Sequence, residues 1–295
     1  MTAAWTTSVW VGSPKIVSVT GTGYDARAGW PGYRVGVATP EEAKADLALA
    51  LTMADQADAI TLSYAMRNDL RIDTKADMTP VTEADQSTER LLRDMIAAER
   101  PDDAVVGEEY GGDAVAGRHW ILDPIDGTKN YVRRVPVWAT LIALADDEGV
   151  AVGVVSAPAL GRRWWAARGH GAWTTGPESP QPRRIHVSSV PTLTDASFSY
   201  SDPEGWDRRA FDALITGTRR TRAYGDFWSH MLVAEGAVDI AAEVGLSIWD
   251  AAALIPIVIE AGGRFDSVEA GAPGGPVSLS TNGLLHDDVI EILRG

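Results

Sequence analysis

Apolar and polar positions sort the chain into helices and strands from about residue 39 onward. Thr39-Pro40-Glu41-Glu42 sets a helix start, with Thr as N-cap, Pro at the first helical position and Glu at the third. Leu47, Leu51, Ala54, Ala57 and Ile60 recur at three- and four-residue steps, which predicts a long amphipathic helix to about Leu70. Thr74–Thr82 is polar and reads as loop; Thr82-Glu83-Ala84-Asp85 then caps a second helix that Pro101 ends. Ala104–Val106, Trp120–Leu122, Val137–Ala145, Gly149–Ser156 and Arg162–Ala167 read as successive strands. Farther on, strands near Ala196–Tyr200, Arg219–Ala223 and Val238–Glu243 alternate with helices near Trp206–Leu214, Phe227–Glu235 and Ser247–Glu260. Gly262-Gly263 stops the last of these helices, and Val277–Ser280 and Leu285–Leu293 close the chain as strand and helix. Antiparallel runs mixed with helical layers predict an α/β sandwich rather than a regular βαβ winding.

Three segments follow from this pattern. Met1–Ala38 is rich in Gly, Thr, Val and Trp without a period, and reads as a poorly ordered extension. Residues 39–180 form an N-terminal half and 181–295 a C-terminal half, with Pro- and Ser-rich Gly176–Pro182 as the candidate boundary. Composition narrows the chemistry. A net charge of −15 at pH 7 makes nucleic acid or an anionic membrane an unfavourable partner. No cysteine excludes disulfides, thiolate catalysis and a thiolate zinc site. The longest apolar runs are strand-length, too short to span a bilayer, so the expected compartment is the cytoplasm.

The candidate chemistry lies in Trp120-Ile121-Leu122-Asp123-Pro124-Ile125-Asp126-Gly127-Thr128. An apolar strand delivers two carboxylates three residues apart, with a proline between them that has no N–H to donate. Asp123, the Ile125 carbonyl and Asp126 can then point to one side as hard oxygen ligands. A helix starting at Gly127-Thr128 would offer backbone N–H groups to a phosphate. Acids beside a phosphate repel it unless cations intervene, which points to Mg²⁺. The bland alternative is an Asx-turn followed by an N-cap. Glu108 alone could be a solvated acid, Asp85 and Asp250 could be capping-box residues, and Asp77 a loop residue.

Taken in order, Gly107-Glu108-Glu109, Asp123-Pro124-Ile125-Asp126-Gly127-Thr128, and Trp249-Asp250 with Glu260-Ala261-Gly262-Gly263 resemble the signature of the inositol monophosphatase family over roughly Glu41 to Gly295. The resemblance implies a layered αβαβα sandwich and a Mg²⁺-dependent, lithium-sensitive phosphomonoesterase that assembles as a homodimer. It also implies that Glu108, Asp123 and the Ile125 carbonyl bind one metal, and Asp123, Asp126 and Asp250 a second. Thr128, oriented by Asp85, would polarise the attacking water, while Gly127 and Thr128 seat the phosphate. Asp77 matches an acid near a third, weaker metal position. Mn²⁺ accepts the same all-oxygen donors. With no Cys or His nucleophile in a recognisable setting, direct attack by water fits better than a phosphoenzyme.

Within the family, Gly225–Glu243 and Tyr131–Leu144 resemble the histidinol-phosphate phosphatase branch of actinobacterial type. Inositol-specific members usually carry a small residue where Asp226 stands. Glu243, seven residues before Asp250, matches a carboxylate that contacts substrate hydroxyls in the family. With Asp226 it would make an acidic wall suited to the ammonium of histidinol phosphate. Trp228 either faces the imidazole or belongs to the core, His230 reads as helix packing, and Glu235 and Asp239 as surface or capping residues. The expected reaction is hydrolysis of L-histidinol phosphate. An inositol or sugar phosphatase is the alternative, and a non-catalytic metal-dependent regulator on the same scaffold the second.

Overall fold

The computed structural model describes residues 7–8, 18–19, 40–67, 71–74, 80–112 and 117–295. Of the N-terminal extension it describes one short antiparallel pair, β1 (Thr7–Ser8) and β2 (Ser18–Val19). The Thr39 cap and Asp77 lie outside the described residues. Helix α1 (Pro40–Ala65) stops short of Leu70. The segment predicted as loop holds a hairpin of β3 (Ile72–Thr74) and β4 (Pro80–Thr82), strands too short to display a period. Helix α2 (Glu83–Glu99) starts as predicted, with Thr82 and Asp85 closing a capping box.

A seven-stranded sheet follows, containing β5 (Ala104–Gly107), β6 (His119–Asp126), β7 (Ala139–Asp146), β8 (Gly149–Ala157), β9 (Arg162–Ala167), β10 (Ala172–Gly176) and β11 (Ser179–Arg184), in the spatial order β11-β10-β9-β8-β7-β6-β5. The short helix α3 (Thr128–Val132) sits between β6 and β7. The Gly176–Pro182 stretch is the turn and start of the β10–β11 hairpin, and the sheet continues to Arg184. Ser-Pro-Gln-Pro-Arg-Arg does not read as strand, but prolines are tolerated on an edge, and β11 is one.

The second sheet has five strands, β12 (Ser197–Ser199), β13 (Arg220–Arg222), β14 (Ile240–Val244), β15 (Arg264–Val268) and β16 (Val277–Thr281), in the order β13-β12-β14-β16-β15. Helices α4 (Arg208–Gly217), α5 (Asp226–Ala234), α6 (Ile248–Ala252), α7 (Leu254–Glu260) and α8 (His286–Arg294) complete the fold.

Alternation along β6 explains the layering, because neighbouring residues face opposite sides of the sheet. Trp120 and Leu122 pack on α1 and α2 with Met53, Leu92 and Ile96. Ile121 faces the other way, into a core shared with Phe227 and Met231 of α5 and Leu254 and Val258 of α7. Helices α4 and α8 cover the outer side of the second sheet through Phe211, Leu214, Val289 and Leu293. The result is helices, sheet, helices, sheet, helices.

The predicted single helix over Ser247–Glu260 is broken at Ala253 into α6 and α7. Pro256 has no N–H for the Ala252 carbonyl. The break packs against β8, where a Cβ on Gly153 would lie 2.3 Å from the Ala253 carbonyl oxygen and 2.7 Å from Pro256 Cγ. Gly153→Ala is therefore expected to destabilise the protein by about 1–3 kcal/mol, measured by chemical denaturation.

Candidate active site

Asp123 and Asp126 are an odd number of residues apart, so a regular β6 would send them to opposite faces of the sheet. The strand is not regular there. Asp123 pairs with Leu141 and Asp126 with Ala139, so three steps on β6 match two on β7. This one-residue bulge at Pro124-Ile125 reverses the alternation and brings both carboxylates to one side. Pro124, unable to donate to the ladder, sits where the ladder is interrupted, and Thr140 Oγ1 donates to its carbonyl at 2.8 Å. Asp123 Oδ1 accepts the Ile125 N–H at 2.9 Å. Asp126 Oδ2 accepts the Phe227 N–H at the start of α5, also at 2.9 Å.

The first turn of α6 brings in the third acid. Asp250 Oδ2 accepts the Ser247 N–H at 2.7 Å, so the capping-box reading is correct. The same carboxylate also joins Asp123 and Asp126, with ligand-type oxygens of all three within 4.8 Å of one another. Glu108, on the turn after β5, presses against Asp123 and its charge also reaches Asp250. Burial first, then these like charges, push Asp123 well above the usual carboxylate range; burial and the charges of Asp226 and Asp250 do the same to Asp126. Burial and Glu108 raise Asp250 to about 7.

Asp85 likewise does two things. Its Oδ2 takes the Thr82 N–H at 2.8 Å as a cap, and its Oδ1 lies 3.4 Å from Thr128 Oγ1. Thr128 Oγ1 also lies 2.9 Å from the Ile125 carbonyl oxygen. Gly127, in a left-handed conformation, turns the chain from β6 into α3, whose first-turn amides have no partner within the helix.

A second group of acids borders the first. Asp226 adopts a left-handed φ of 48°, its N–H donates to Ser201 Oγ at 2.7 Å, and Asn130 Nδ2 donates to its Oδ2 at 2.8 Å. Ser201 Oγ in turn donates to Glu243 Oε1 at 2.6 Å. Burial raises Asp226 to about 6 against the opposing charge of Lys129. Burial also raises Glu243, with further contributions from the charges of Asp226, Asp202 and Asp250. Ser201 and Asn130 were not singled out by the sequence. Asn130 ends the run that begins at Trp120 but carries no role in the sequence reading, whereas no local pattern marks Ser201.

Trp228 is brought less clearly to this site. Its ring packs against the core and edge-on to Tyr224, with centroids 5.6 Å apart, and its buried indole N–H finds no acceptor among the described residues. His230 is core as expected, bonded to Ser280 Oγ and held neutral by burial. Glu235 and Asp239 are not surface residues. Glu235 takes the Trp164 indole N–H at 2.6 Å and pairs with Arg162, while buried Asp239 accepts the Ser197 N–H.

Asp123, Asp126 and Asp250 are within reach of one another, and no Lys or Arg among the described residues pairs with any of them. Like charges that close, in a buried setting, require a counter-charge. The donors are all oxygen, the set that hard divalent cations prefer. The residues therefore fit a metal centre.

Fold and site together define a class, the metal-dependent phosphomonoesterases built on a layered αβαβα sandwich. A model of the inositol monophosphatase family matches residues 43–290. A histidinol-phosphatase of Mycobacterium tuberculosis is 55% identical over 255 residues, covering 84% of this chain and 98% of the relative. One from Streptomyces coelicolor is 53% identical over 260 residues, covering 84% and 97%. Among solved structures, an inositol monophosphatase from Zymomonas mobilis superposes with a TM-score of 0.73 at 30% identity, covering 88% of this chain and all of that one. The chain belongs to the inositol monophosphatase family. No helix among the described residues is long and apolar enough to cross a membrane.

Proposed function

We propose that this protein hydrolyses L-histidinol phosphate to L-histidinol and phosphate with Mg²⁺, by direct attack of water on phosphorus. The observation that carries the reading is the juxtaposition of two acidic groups. Asp123, Asp126, Asp250 and Glu108 gather on one side, and Asp226 and Glu243 lie within electrostatic reach of them on the other. The first group suits metal and phosphate, the second the ammonium of an amino-alcohol ester. The two histidinol-phosphatases above support the same substrate.

In this reading Glu108, Asp123 and the Ile125 carbonyl hold one cation, and Asp123, Asp126 and Asp250 another. Bound divalent cations supply positive charge to the phosphate oxygens and make water a better nucleophile. The protein's own groups do the rest. With its proton committed to Asp85 or to the Ile125 carbonyl, Thr128 Oγ1 keeps lone pairs that accept a hydrogen bond from the incoming water and aim it. The first-turn amides at Gly127 and Thr128 offer donors to the phosphate. Asp226 and Glu243 orient the leaving half of the substrate through its ammonium. Mn²⁺ fits the same donors. Asp77, outside the described residues, keeps its proposed place near a third metal. A cytoplasmic homodimer completes the reading, and light scattering of the purified protein measures the assembly.

The test is phosphate release from histidinol phosphate and inositol 1-phosphate side by side, with Mg²⁺ and with EDTA. The expected result is Mg²⁺-dependent release with preference for histidinol phosphate. Preference for inositol 1-phosphate would overturn the substrate while keeping the metal chemistry. No release from any monoester with Mg²⁺ bound would overturn the enzyme reading.

A further inference from the structure

Glu89 is a fully buried carboxylate of α2 with no part in the mechanism above. Its Oε2 accepts the Glu109 N–H at 2.7 Å, and its Oε1 accepts the Tyr110 N–H at 3.2 Å. Arg93, one helical turn farther along α2, donates from Nε to Glu89 Oε1 at 2.8 Å. The same guanidinium also reaches the carbonyls of Gly111 and Val105. One helix face thus holds the turn over residues 107–111 by its amides through Glu89 and by its carbonyls through Arg93. The carboxylate lies so close to the chain that a Cβ on Gly107 would sit 2.1 Å from Glu89 Oε1.

This turn carries Glu108. Its backbone N–H is tied to the Leu122 carbonyl at 3.2 Å, and its side chain lies within hydrogen-bond reach of Asp123. A looser turn would let the half-buried Glu108 swing away from Asp123 toward water. We infer that Glu89, completed by Arg93, is the positioning residue that keeps Glu108 directed at the metal position, so that the protein and not the cation bears the cost of ordering this ligand. Outer residues that orient ligands act in this way on metal affinity. The inference rests on the metal reading given above.

Glu89→Gln and Arg93→Gln test it, with Mg²⁺ alone titrated calorimetrically into the full-length protein and activity followed against Mg²⁺ concentration. Both variants are expected to raise the Mg²⁺ dissociation constant, by about 10- to 100-fold for Glu89→Gln, while kcat at saturating Mg²⁺ is largely retained. Asp46→Asn is the control for mere loss of a buried ion pair, because Asp46 joins Arg100 and Arg118, beside the start of β5 and not at the turn that follows its end. It should lower the melting temperature and leave Mg²⁺ affinity alone. Unchanged Mg²⁺ affinity in the Glu89 and Arg93 variants, or an equal shift in Asp46→Asn, would overturn the assignment. If Glu89→Gln fails to fold, Arg93→Gln decides alone, since it keeps both Glu89–amide contacts. A wild-type protein that binds no Mg²⁺ would instead bring down the metal reading, and this inference with it.

Discussion

Asp126→Asn is expected to lower kcat/KM by about 10³-fold or more, a loss of about 4 kcal/mol of transition-state stabilisation. The asparagine keeps the shape of the side chain and one oxygen to accept the Phe227 N–H, so the position of α5 should survive. What disappears is a negative charge among clustered acids that no Lys or Arg of the described residues pairs with. The same substitution should stabilise the metal-free protein. Asp126 has its proton affinity raised by folding, so at neutral pH its ionised form costs stability that a neutral amide does not. Each kcal/mol recovered raises the melting temperature by about 2–4 °C.

A pH dependence comes with this. Groups whose pKa is raised on folding contribute stability in acid and lose it as pH rises through the folded value. For Asp226 and Asp250 those values are about 6 and about 7. With EDTA, the wild-type protein should therefore lose stability as pH rises across that window, and Asp126→Asn should lose less. Denaturation in EDTA at several pH values, beside kinetics with Mg²⁺, measures both halves. Wild-type turnover in the variant would remove the metal model. Turnover lost together with the fold would mean that Asp126 serves only to hold α5.

Much of this site was legible because its signals are local. The cap at Thr82 and Asp85, the strand–proline–glycine run from Trp120 to Thr128, and the cap at Ser247 and Asp250 each involve only a few consecutive residues. Reading Asp85 and Asp250 as cap or as site residue posed a false choice, since each carboxylate has two oxygens and the structure uses both ends. What stayed hidden depends on tertiary contact. Glu89 holds a turn twenty residues away, and Ser201 links an amide and a carboxylate from two other elements. Glu235 looked like a surface acid at a helix end, yet Arg162 and the Trp164 indole from β9 enclose it. Strands β10, β11 and β15 were not read from the sequence, and for β11 there is a further reason. Propensity describes the average strand, whereas an edge strand with two prolines is permitted by its place in the sheet.

Glu243→Gln separates recognition of the substrate's amine from the phosphate chemistry. Glu243 is buried on β14, its Oε1 takes the Ser201 hydroxyl, and its second oxygen accepts no hydrogen bond from a described residue. Glutamine fills the same volume and can still accept from Ser201, so the local packing should hold. The change removes one charge from the wall facing the proposed ammonium. A charge-assisted hydrogen bond contributes about 1.5–3 kcal/mol, so kcat/KM for histidinol phosphate should fall about 10- to 100-fold, mainly through KM. Hydrolysis of a neutral aryl phosphate should change little, because that substrate carries no cation for Glu243 to meet. Equal losses on both substrates would show that Glu243 acts on the phosphate end through its neighbours Asp126 and Asp250. Since burial and the neighbouring acids Asp226, Asp202 and Asp250 disfavour the ionised form of Glu243, the glutamine protein should be no less stable than wild type. A selective KM effect in a protein of undiminished stability therefore has a single reading, loss of the contact to the amine.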